Sequence, residues 1–309
     1  MTNIKPLPLH LQQIAEQELG EVVERIPNDL EILKHWIQQQ PHLNSRQDDQ
    51  FLIQFLRGSK YSLEKAKEKL DRFYTFQTKY PEIFRITNVD DVTFRNNYSL
   101  GSLLPLPKPL NECGPRILVF RYNFSPKTVP IEVLFNTINA IPQVLLLDDP
   151  YACIYGTIYV ADMSQLSTGH LLQLTPTFLK KVVTYYENTL PLRIKAIYCI
   201  NAPKIAEQLL NLFLSLMGEK LRKRVFIFGT NFDGMFTNVP LKFLPEDYGG
   251  QNGRLSDICA EFNNKWNEYR EYFQDNAKYG TVESLRLGTP IDFDGIFGMG
   301  GSFRKLNVD

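Results

Sequence analysis

The residues of this chain best suited to chemistry are five cations in two short stretches. Arg193 and Lys195 alternate with an isoleucine, so they project to the same side of a predicted strand. Lys220 and Arg224 lie one helical turn apart and are expected to share a face, with Lys223 next to them. If the two stretches converge, they form a binding site for a phosphate-bearing group. An ordinary run of solvated charge is the alternative.

Residue patterns typical of catalysis or metal binding do not occur. The 4 histidines and 4 cysteines lack metal-ligand spacing, and the sequence has neither a Gly-x-Ser-x-Gly motif nor a Walker phosphate loop. Asp148-Asp149 precedes a proline, Asp162 follows a predicted strand, and His170 follows a glycine, so turn or capping roles are favoured for all of them. We therefore expect no enzyme, no catalytic residues, and no metal or cofactor.

The composition points away from nucleic acid and towards the cytoplasm. Among 309 residues, 34 basic and 34 acidic side chains leave a net charge of zero. The N-terminus has no apolar core of signal-peptide length, and apolar stretches such as 209–217 are too short to span a bilayer. The scattered cysteines, without Cys-x-x-Cys spacing, are expected to be reduced.

Residues 203–217 carry more apolar side chains than a helix buried on one side needs. On a helical wheel these fall in two neighbouring arcs: Ile205, Leu209, Leu212 and Leu216 in one, and Leu210, Phe213, Leu214 and Met217 in the other. Together the arcs cover about half the circumference, against a stripe of roughly 100° for one buried face. The helix is either wedged between a sheet and a neighbouring helix, or a lid over a cavity that turns its outer arc to lipid when open.

Residues 9–85 show apolar residues at helical spacing and predict a bundle of helices. Asp48-Asp49-Gln50 opens one helix, which Gly58 ends, and Ser62 caps the next, which Pro81 ends. We place this N-terminal helical module at residues 1–90.

Short apolar runs then alternate with helical segments. Strands are predicted at 117–120, 153–160, 194–200 and 225–228, and helices at 130–147, 176–190 and 203–217. Thr175-Pro176 begins the second helix with a hydroxyl cap and a proline in the first turn. This alternation predicts an α/β domain, at 91–275, with a mostly parallel sheet covered by helices. Residues 104–109 are interpreted as a loop, 251–275 as a closing helix, and 276–309 as a C-terminal tail.

With these residues in view, the chain resembles the CRAL-TRIO family, to which retinaldehyde-binding and α-tocopherol transfer proteins belong. The resemblance covers about residues 25–275 and implies a lipid-binding pocket closed by a mobile lid helix. Its motifs occur in the family's order: Asp48-Asp49-Gln50-Phe51-Leu52, Phe55-Leu56-Arg57, Leu63-Glu64-Lys65-Ala66, Asp162-Met163, Leu174-Thr175-Pro176, Lys180-Lys181, Pro191-Leu192-Arg193-Ile194-Lys195, Ile200-Asn201-Ala202-Pro203, Lys220 and Leu244-Pro245-Glu246-Asp247-Tyr248-Gly249-Gly250.

The resemblance also implies where the sites lie. Its pocket positions fall on Thr157, Ala161, Leu174, Val182, Tyr185, Tyr186, Leu192, Ile197, Leu210, Phe213 and Met217. Its phosphoinositide-binding positions fall on Arg193, Lys195, Lys220, Arg222 and Arg224, and on Lys60, which follows a serine where the family often has a basic residue. Its membrane-facing lid positions fall on Ile205, Leu209 and Leu212.

Two departures from the family pattern concern function. Phe228 stands before Gly229, where the family commonly has histidine. Small or polar side chains occupy several pocket positions. The phenols of Tyr185 and Tyr186 could form hydrogen bonds with a ligand hydroxyl or carbonyl. The alternative is that both rings only pack against other side chains.

The resemblance implies a cytoplasmic carrier of a tocopherol, retinoid or carotenoid-like lipid, transiently bound to phosphoinositide-containing membranes, where the head group promotes release. A phospholipid-exchange protein and a signalling adaptor that contacts proteins remain open as alternatives.

Overall fold

The computed structural model describes residues 2–289 and residue 291. Its N-terminal part is helical, as the apolar spacing predicts. The elements are α1 (Leu9–Ile14), α2 (Ile26–Gln38), the short strand β1 (Leu43–Asn44), α3 (Asp49–Gly58), α4 (Leu63–Lys79), α5 (Pro81–Phe84) and α6 (Val92–Ser99). A π-helical turn, Ala15–Leu19, extends α1.

Helix α3 shows how local sequence and packing combine in this module. The Asp48 carboxylate accepts a hydrogen bond from the Phe51 amide at 2.9 Å and so caps the first turn. At the other end, a Cβ on Gly58 would lie 2.2 Å from the Pro191 carbonyl oxygen. Only glycine therefore lets α3 approach the chain that enters the sheet domain.

The second part of the chain alternates strands and helices, and the predicted α/β fold is confirmed. Its strands are β2 (Leu103–Pro105), β3 (Arg116–Arg121), β4 (Thr157–Asp162), β5 (Ile194–Ile200) and β6 (Val225–Ile227). Its helices are α7 (Ile131–Ile138), α8 (Ala140–Asp148), α9 (Pro150–Ile154), α10 (Thr168–Gln173), α11 (Pro176–Asn188), α12 (Glu207–Leu216) and α13 (Glu219–Arg222).

The strands form one sheet in the order β2-β3-β4-β5-β6. Strands β3 to β6 run parallel, and β2 pairs antiparallel with β3 at the edge of the sheet. Residues 104–109, which were predicted to form a loop, therefore begin within an edge strand. The strand predicted from residue 153 begins only at Thr157. Asp149 accepts a hydrogen bond from the Tyr151 amide at 2.9 Å, and with Pro150 it starts α9 instead.

The two faces of the sheet are covered differently. Ile117, Val119, Ile158, Val160, Ala196 and Tyr198 point to one face, where they pack against buried residues of 235–258. The alternate residues point to the face covered by α7, α11 and α12. Helix α11 begins as predicted, with the Thr175 hydroxyl accepting a hydrogen bond from the Phe178 amide at 3.2 Å.

The longest apolar helical stretch lies inside this domain. Residues Ile131–Asp148 are long and apolar enough to span a bilayer. The prediction that the apolar stretches are too short to do so overlooked this one. Asn139 separates them into α7 and α8, and 72% of the stretch is buried in the protein interior. We therefore interpret them as core helices.

The chain closes by returning to the N-terminal module. The single helix predicted at 251–275 is three short ones, α14 (Leu255–Phe262), α15 (Lys265–Glu268) and α16 (Arg270–Asp275). Strand β7 (Gly280–Thr281) then pairs antiparallel with β1. The Arg286 guanidinium donates to the Asp71 carboxylate on α4 at 2.5 and 3.0 Å. Residues 276–286 of the predicted tail thus pack on the helical module, and residues 290 and 292–309 lie outside the described part.

We predict that Arg286→Gln lowers the free energy of unfolding by about 1–3 kcal/mol, because Asp71 loses its main partner in a half-buried place. Burial opposes ionisation of Asp71, but Arg286 lowers its pKa below the ordinary value. The stabilisation is therefore complete at neutral pH and is lost as the pH falls below about 4. Urea unfolding at pH 7 and pH 3 measures the difference.

The control is Lys278→Gln, which removes an exposed ion pair with Asp275 (2.6 Å) from the same segment and should change stability little. Equal losses in the two variants would show that the Arg286 contact does not hold the segment.

Candidate functional site

A cavity of about 190 Å³ lies between the sheet and helices α7, α11 and α12. None of the side chains that line it carries a charge. Those from the strands and their ends are Leu103, Phe120, Tyr122, Tyr159, Ala161, Met163, Ile194, Ile197 and Cys199. Those from the helices and their connections are Ile131, Phe135, Ile138, Leu174, Phe178, Leu179, Val182, Val183, Tyr186, Leu209, Leu210, Phe213, Met217 and Leu221. Such a lining suits an apolar guest.

Most of the predicted pocket residues meet in this cavity. Ala161, Leu174, Val182, Tyr186, Ile197, Leu210, Phe213 and Met217 all line it. Thr157, Tyr185 and Leu192 lie outside it. Tyr185 points from α11 towards the helical module, where its ring stacks on Phe84 with 4.3 Å between centroids. Thr157 is fully buried at the start of β4, and Leu192 is packed into the core before β5 begins.

Sequence reasoning missed several lining residues for which a signal existed. Tyr159 lies two positions from both Thr157 and Ala161, so the alternation of a strand places it on the same face as Ala161. Ile131, Phe135 and Ile138 have the i, i+4, i+7 spacing of one helical face.

An irregularity in β5 determines which of its residues face the cavity. Thr157 of β4 pairs with Ile194 of β5, but the next residue, Ile158, pairs with Ala196. Lys195 is therefore an extra residue without a partner in β4. Ile194 and Ile197, three positions apart, therefore both line the cavity, whereas Lys195 is exposed. With regular alternation, Lys195 would share the face of Ile197 and place a charge in the apolar chamber.

The cavity contains polar atoms only at a few points. The Tyr159 hydroxyl is buried and makes no hydrogen bond in the described structure. The ring of Tyr186 meets that of Tyr159 edge to face, with 6.2 Å between centroids. Burial raises the pKa of both phenols, so both keep their proton at neutral pH and can donate a hydrogen bond.

Helix α12 covers the cavity as the lid hypothesis requires. Leu209, Leu210, Phe213 and Met217 face inward, and Ile205 is 45% exposed. Two of the three predicted membrane-facing residues are placed differently from the prediction, since Leu209 lines the cavity and Leu212 is half-buried against the core. Leu209 lies one helical turn before Phe213, so the two side chains share a face, and the division of the helix into an inner and an outer arc separated them.

Hydrogen bonds hold both ends of the lid. Before it, Asn201 has a φ of +53°, and its amide donates to the Asp162 carboxylate at 3.0 Å. Tyr248, from the Pro-Glu-Asp-Tyr-Gly-Gly motif, donates to the other Asp162 oxygen at 2.8 Å. After the lid, the Gly218 amide donates to the Glu187 carboxylate at 3.0 Å. Asp162 thus has a positioning role, in line with the capping role favoured for it.

The predicted basic cluster contains two kinds of residue. Arg193 and Arg224 are half-buried and bind backbone carbonyls: Arg193 donates to Cys153 at 3.0 Å and to Ile154, and Arg224 donates to Ile194. Burial lowers the pKa of Arg193. Arg224 lies beyond the end of α13, so it does not share a helical face with Lys220.

The remaining cations of the cluster are exposed to solvent. Lys60, Lys220 and Arg222 are exposed and form no ion pair within the described residues. Lys195 lies 3.8 Å from the Glu18 carboxylate, an exposed pair of small energetic value. Burial, followed by the charges of Arg193 and then of Arg224 and Lys60, lowers the pKa of Lys195, so these four cations are gathered in one place.

The other acidic and histidine candidates have structural partners. Asp148 pairs with Lys5 at 2.6 Å and Lys265 at 2.7 Å, so it is not a simple solvated turn. Asp149 pairs with Arg116. His170 accepts a hydrogen bond from the Ser167 amide at 3.0 Å, in a capping box. Among residues 2–289 and 291, no three His, Cys, Asp or Glu side chains gather as a metal site would require.

We predict that filling the cavity is tolerated by the ligand-free protein. Ala161→Leu should leave the free energy of unfolding unchanged or raise it by up to about 1 kcal/mol, because the added methyl groups enter unoccupied space. Ala196→Leu, on the packed face of the neighbouring strand, should lower it by about 1–3 kcal/mol. Urea unfolding tests the pair, and equal destabilisation would mean that Ala161 has no free space before it.

Comparison with known proteins agrees with this geometry. A family model described as "CRAL/TRIO domain" matches residues 109–250, and one described as "Pinta-like, UBA domain" matches residues 22–94. The alpha-tocopherol transfer protein-like protein of Homo sapiens is 28% identical over 245 residues, which are 78% of this chain and 70% of that protein.

Clavesin-1 of Rattus norvegicus is 25% identical over 76% of this chain and 67% of its own length. Clavesin-2 of Homo sapiens is 23% identical over 76% of this chain and 72% of its own length. The crystal structure of Sfh5 has a TM-score of 0.49 at 13% identity, over 86% of this chain and 99% of that one, which is too distant a similarity to support an inference. From the family model and the relatives together, residues 109–250 of this chain form a CRAL-TRIO domain.

Proposed function

We propose that this protein carries a hydrophobic small molecule in the cavity under α12 and releases it at a membrane surface. It binds its cargo without a chemical reaction. The observation that carries the proposal is the chamber itself, which has an uncharged lining and a cover that is apolar on its inner side.

The physical basis of binding is the burial of apolar surface. A lipid with several hundred Å² of apolar surface gains on the order of 25 cal/mol for each Å² removed from water, before the cost of ordering is subtracted. A closed cover is needed because an open groove would leave part of that surface in water. The lid must therefore move for the ligand to enter and leave.

The class of ligand is the finer part of the proposal. The printed name of one relative refers to alpha-tocopherol, so tocopherol is the first ligand to test, with retinoids and carotenoids beside it. A phospholipid with its head group inside the cavity fits less well, because no lining side chain offers a positive charge to a phosphate.

We predict that delipidated protein takes up tocopherol, a retinoid or a carotenoid from neutral vesicles at about one molecule per protein. Ala161→Leu should weaken this uptake because its side chain occupies ligand space, although the variant folds. Mass spectrometry of organic extracts from re-isolated protein measures the bound lipid. Phospholipid as the main bound species would favour an exchange protein, and no bound lipid of any kind would contradict the proposal.

Recognition of phosphoinositide head groups at the membrane is the second finer part. Lys60, Lys195, Lys220 and Arg222 are exposed cations, and the charges of Arg193, Arg224 and Lys60 act on Lys195. The edge strand that follows the cluster exposes Phe226 and Ile227 by 40% and 44%. Cations beside exposed apolar side chains favour binding to an anionic lipid surface.

We predict that Lys220→Glu with Arg222→Glu lowers affinity for phosphoinositide-containing vesicles at least tenfold, since each cation near anionic lipid contributes about 1 kcal/mol. Ligand uptake from neutral vesicles should be unchanged. The matched control reverses two exposed cations elsewhere, Lys108→Glu with Arg254→Glu. Vesicle co-sedimentation measures the affinities, and equal losses in both double variants would indicate an effect of net charge rather than a site.

A further inference from the structure

We infer that the Glu18 carboxylate is a built-in counter-anion for the cationic cluster of Lys60, Arg193, Lys195 and Arg224, and that it limits the affinity of the protein for anionic membranes. A carrier must leave the membrane after it has unloaded, and a weaker hold makes that departure faster. This inference rests on the proposed function, because it concerns how the proposed membrane contact is regulated.

The position of Glu18 is the first observation. Its carboxylate lies 3.8 Å from the Lys195 ammonium group, and the two side chains are 45% and 38% exposed. Burial lowers the pKa of Arg193, and Cys153 and then Glu18 oppose that shift. Burial and then the charge of Arg193 lower the pKa of Lys195, which Glu18 also opposes. One acidic side chain therefore faces two members of the cluster.

The N-terminal arm, residues 9–21, fixes the backbone on both sides of Glu18. Ala15–Leu19 form a π-helical turn, in which Ala15 and Leu19 are buried and Glu18 is exposed. The buried side chains pack against Cys153 and Ile154 of α9. The backbone of Glu18 cannot withdraw from the cluster without exposing this apolar contact to water.

A buried ion pair holds the end of the arm. The Glu21 carboxylate, which is fully buried, accepts hydrogen bonds from the Arg57 guanidinium at 2.8 Å and from the Tyr61 hydroxyl at 2.7 Å. Pulling Glu21 away would leave the Arg57 charge buried without its partner, which is strongly unfavourable. The arm is therefore a fixed part of the fold, and only the side chain of Glu18 is free to turn.

The arm and the cluster also share one support. Arg193 donates hydrogen bonds to the backbone carbonyls of Cys153, at 3.0 Å, and of Ile154. These are the same two residues of α9 on which the arm packs. Glu18 therefore stays beside Arg193 and Lys195 whether or not a membrane is present. The family resemblance, which begins at about residue 25, does not include this arm.

The contact contributes little to stability, because an exposed ion pair is screened by water. Its effect on membrane binding is larger. The Glu18 charge repels the same anionic lipid that the cluster attracts, so its removal is equivalent to one added cation. One cation near an anionic lipid surface changes the affinity roughly fivefold.

The test measures binding of Glu18→Gln and Glu18→Lys to phosphatidylcholine vesicles that contain a small fraction of phosphatidylinositol bisphosphate. We expect Glu18→Gln to raise the affinity of the full-length protein roughly fivefold and to slow its dissociation, and Glu18→Lys to go further in the same direction. Co-sedimentation measures the affinity, and stopped-flow dilution measures the dissociation rate.

The matched control is Glu16→Gln, which makes the same change of charge two residues earlier on the same turn. The Glu16 carboxylate is exposed and accepts a hydrogen bond from the Gln12 amide at 3.3 Å. This variant should change the affinity less than about twofold, because a charge further from the cluster is screened more strongly by salt.

Two further measurements separate an electrostatic role from a structural one. The gain in Glu18→Gln should shrink as the salt concentration rises from about 0.05 M to about 0.5 M, because the Debye length falls. Its midpoint of urea unfolding should equal that of the unaltered protein, because the ion pair is exposed. A gain that does not depend on salt, or a lower midpoint, would overturn the inference in favour of a structural role.

The binding outcomes distinguish this inference from the proposed function. Equal affinities of Glu18→Gln and the unaltered protein would refute the counter-anion and leave membrane recognition standing. Equal gains in Glu16→Gln and Glu18→Gln would show an effect of net charge and would also refute it. Absence of binding by all of the proteins, the unaltered one included, would contradict the proposed membrane recognition and the inference with it.

Discussion

The extra residue in β5 is the constraint on which the apolar chamber depends. Lys195 stands in a strand whose other side chains are almost all apolar, and its unpaired position lets it reach solvent while Ile194 and Ile197 face inward. The same irregularity places Lys195 next to Arg193, Arg224 and Lys60. An uncharged cavity lining and a cationic surface are therefore two consequences of one register shift, because the strand that forms the floor of the cavity also carries the charge outside it.

The lid connects these two surfaces. Its first end is tied to the sheet through Asn201 and Asp162, and its second end is tied to α11 through Gly218 and Glu187. The first tie is a side-chain hydrogen bond, and the second is shared between the two Glu187 oxygens at 3.0 and 3.2 Å, whereas the centre of the helix is held by apolar contacts with the cavity residues.

The interior also shows how binding capacity can reduce stability. Side chains that line a cavity lose packing contacts, and the Tyr159 hydroxyl lacks a hydrogen bond that would stabilise it. Selection for stability alone would favour larger side chains in the cavity and phenylalanine in place of Tyr159. Outside the cavity, Tyr185 is enclosed among aromatic rings of the helical module, Phe76 and Phe84.

The sequence by itself determined the features that depend on local pattern: the helical module, the alternation of strands and helices, the cap at Asp48, the apolar lid segment and the resemblance to the CRAL-TRIO family. Tertiary structure decided how those parts meet. In the folded protein Tyr185 lies outside the cavity and Tyr159 lines it. Arg193 donates hydrogen bonds to backbone carbonyls instead of facing solvent. The physical reason is that periodicity specifies which residues share a face, whereas a register shift changes which residues face the cavity, and only packing against distant segments determines where such an irregularity occurs.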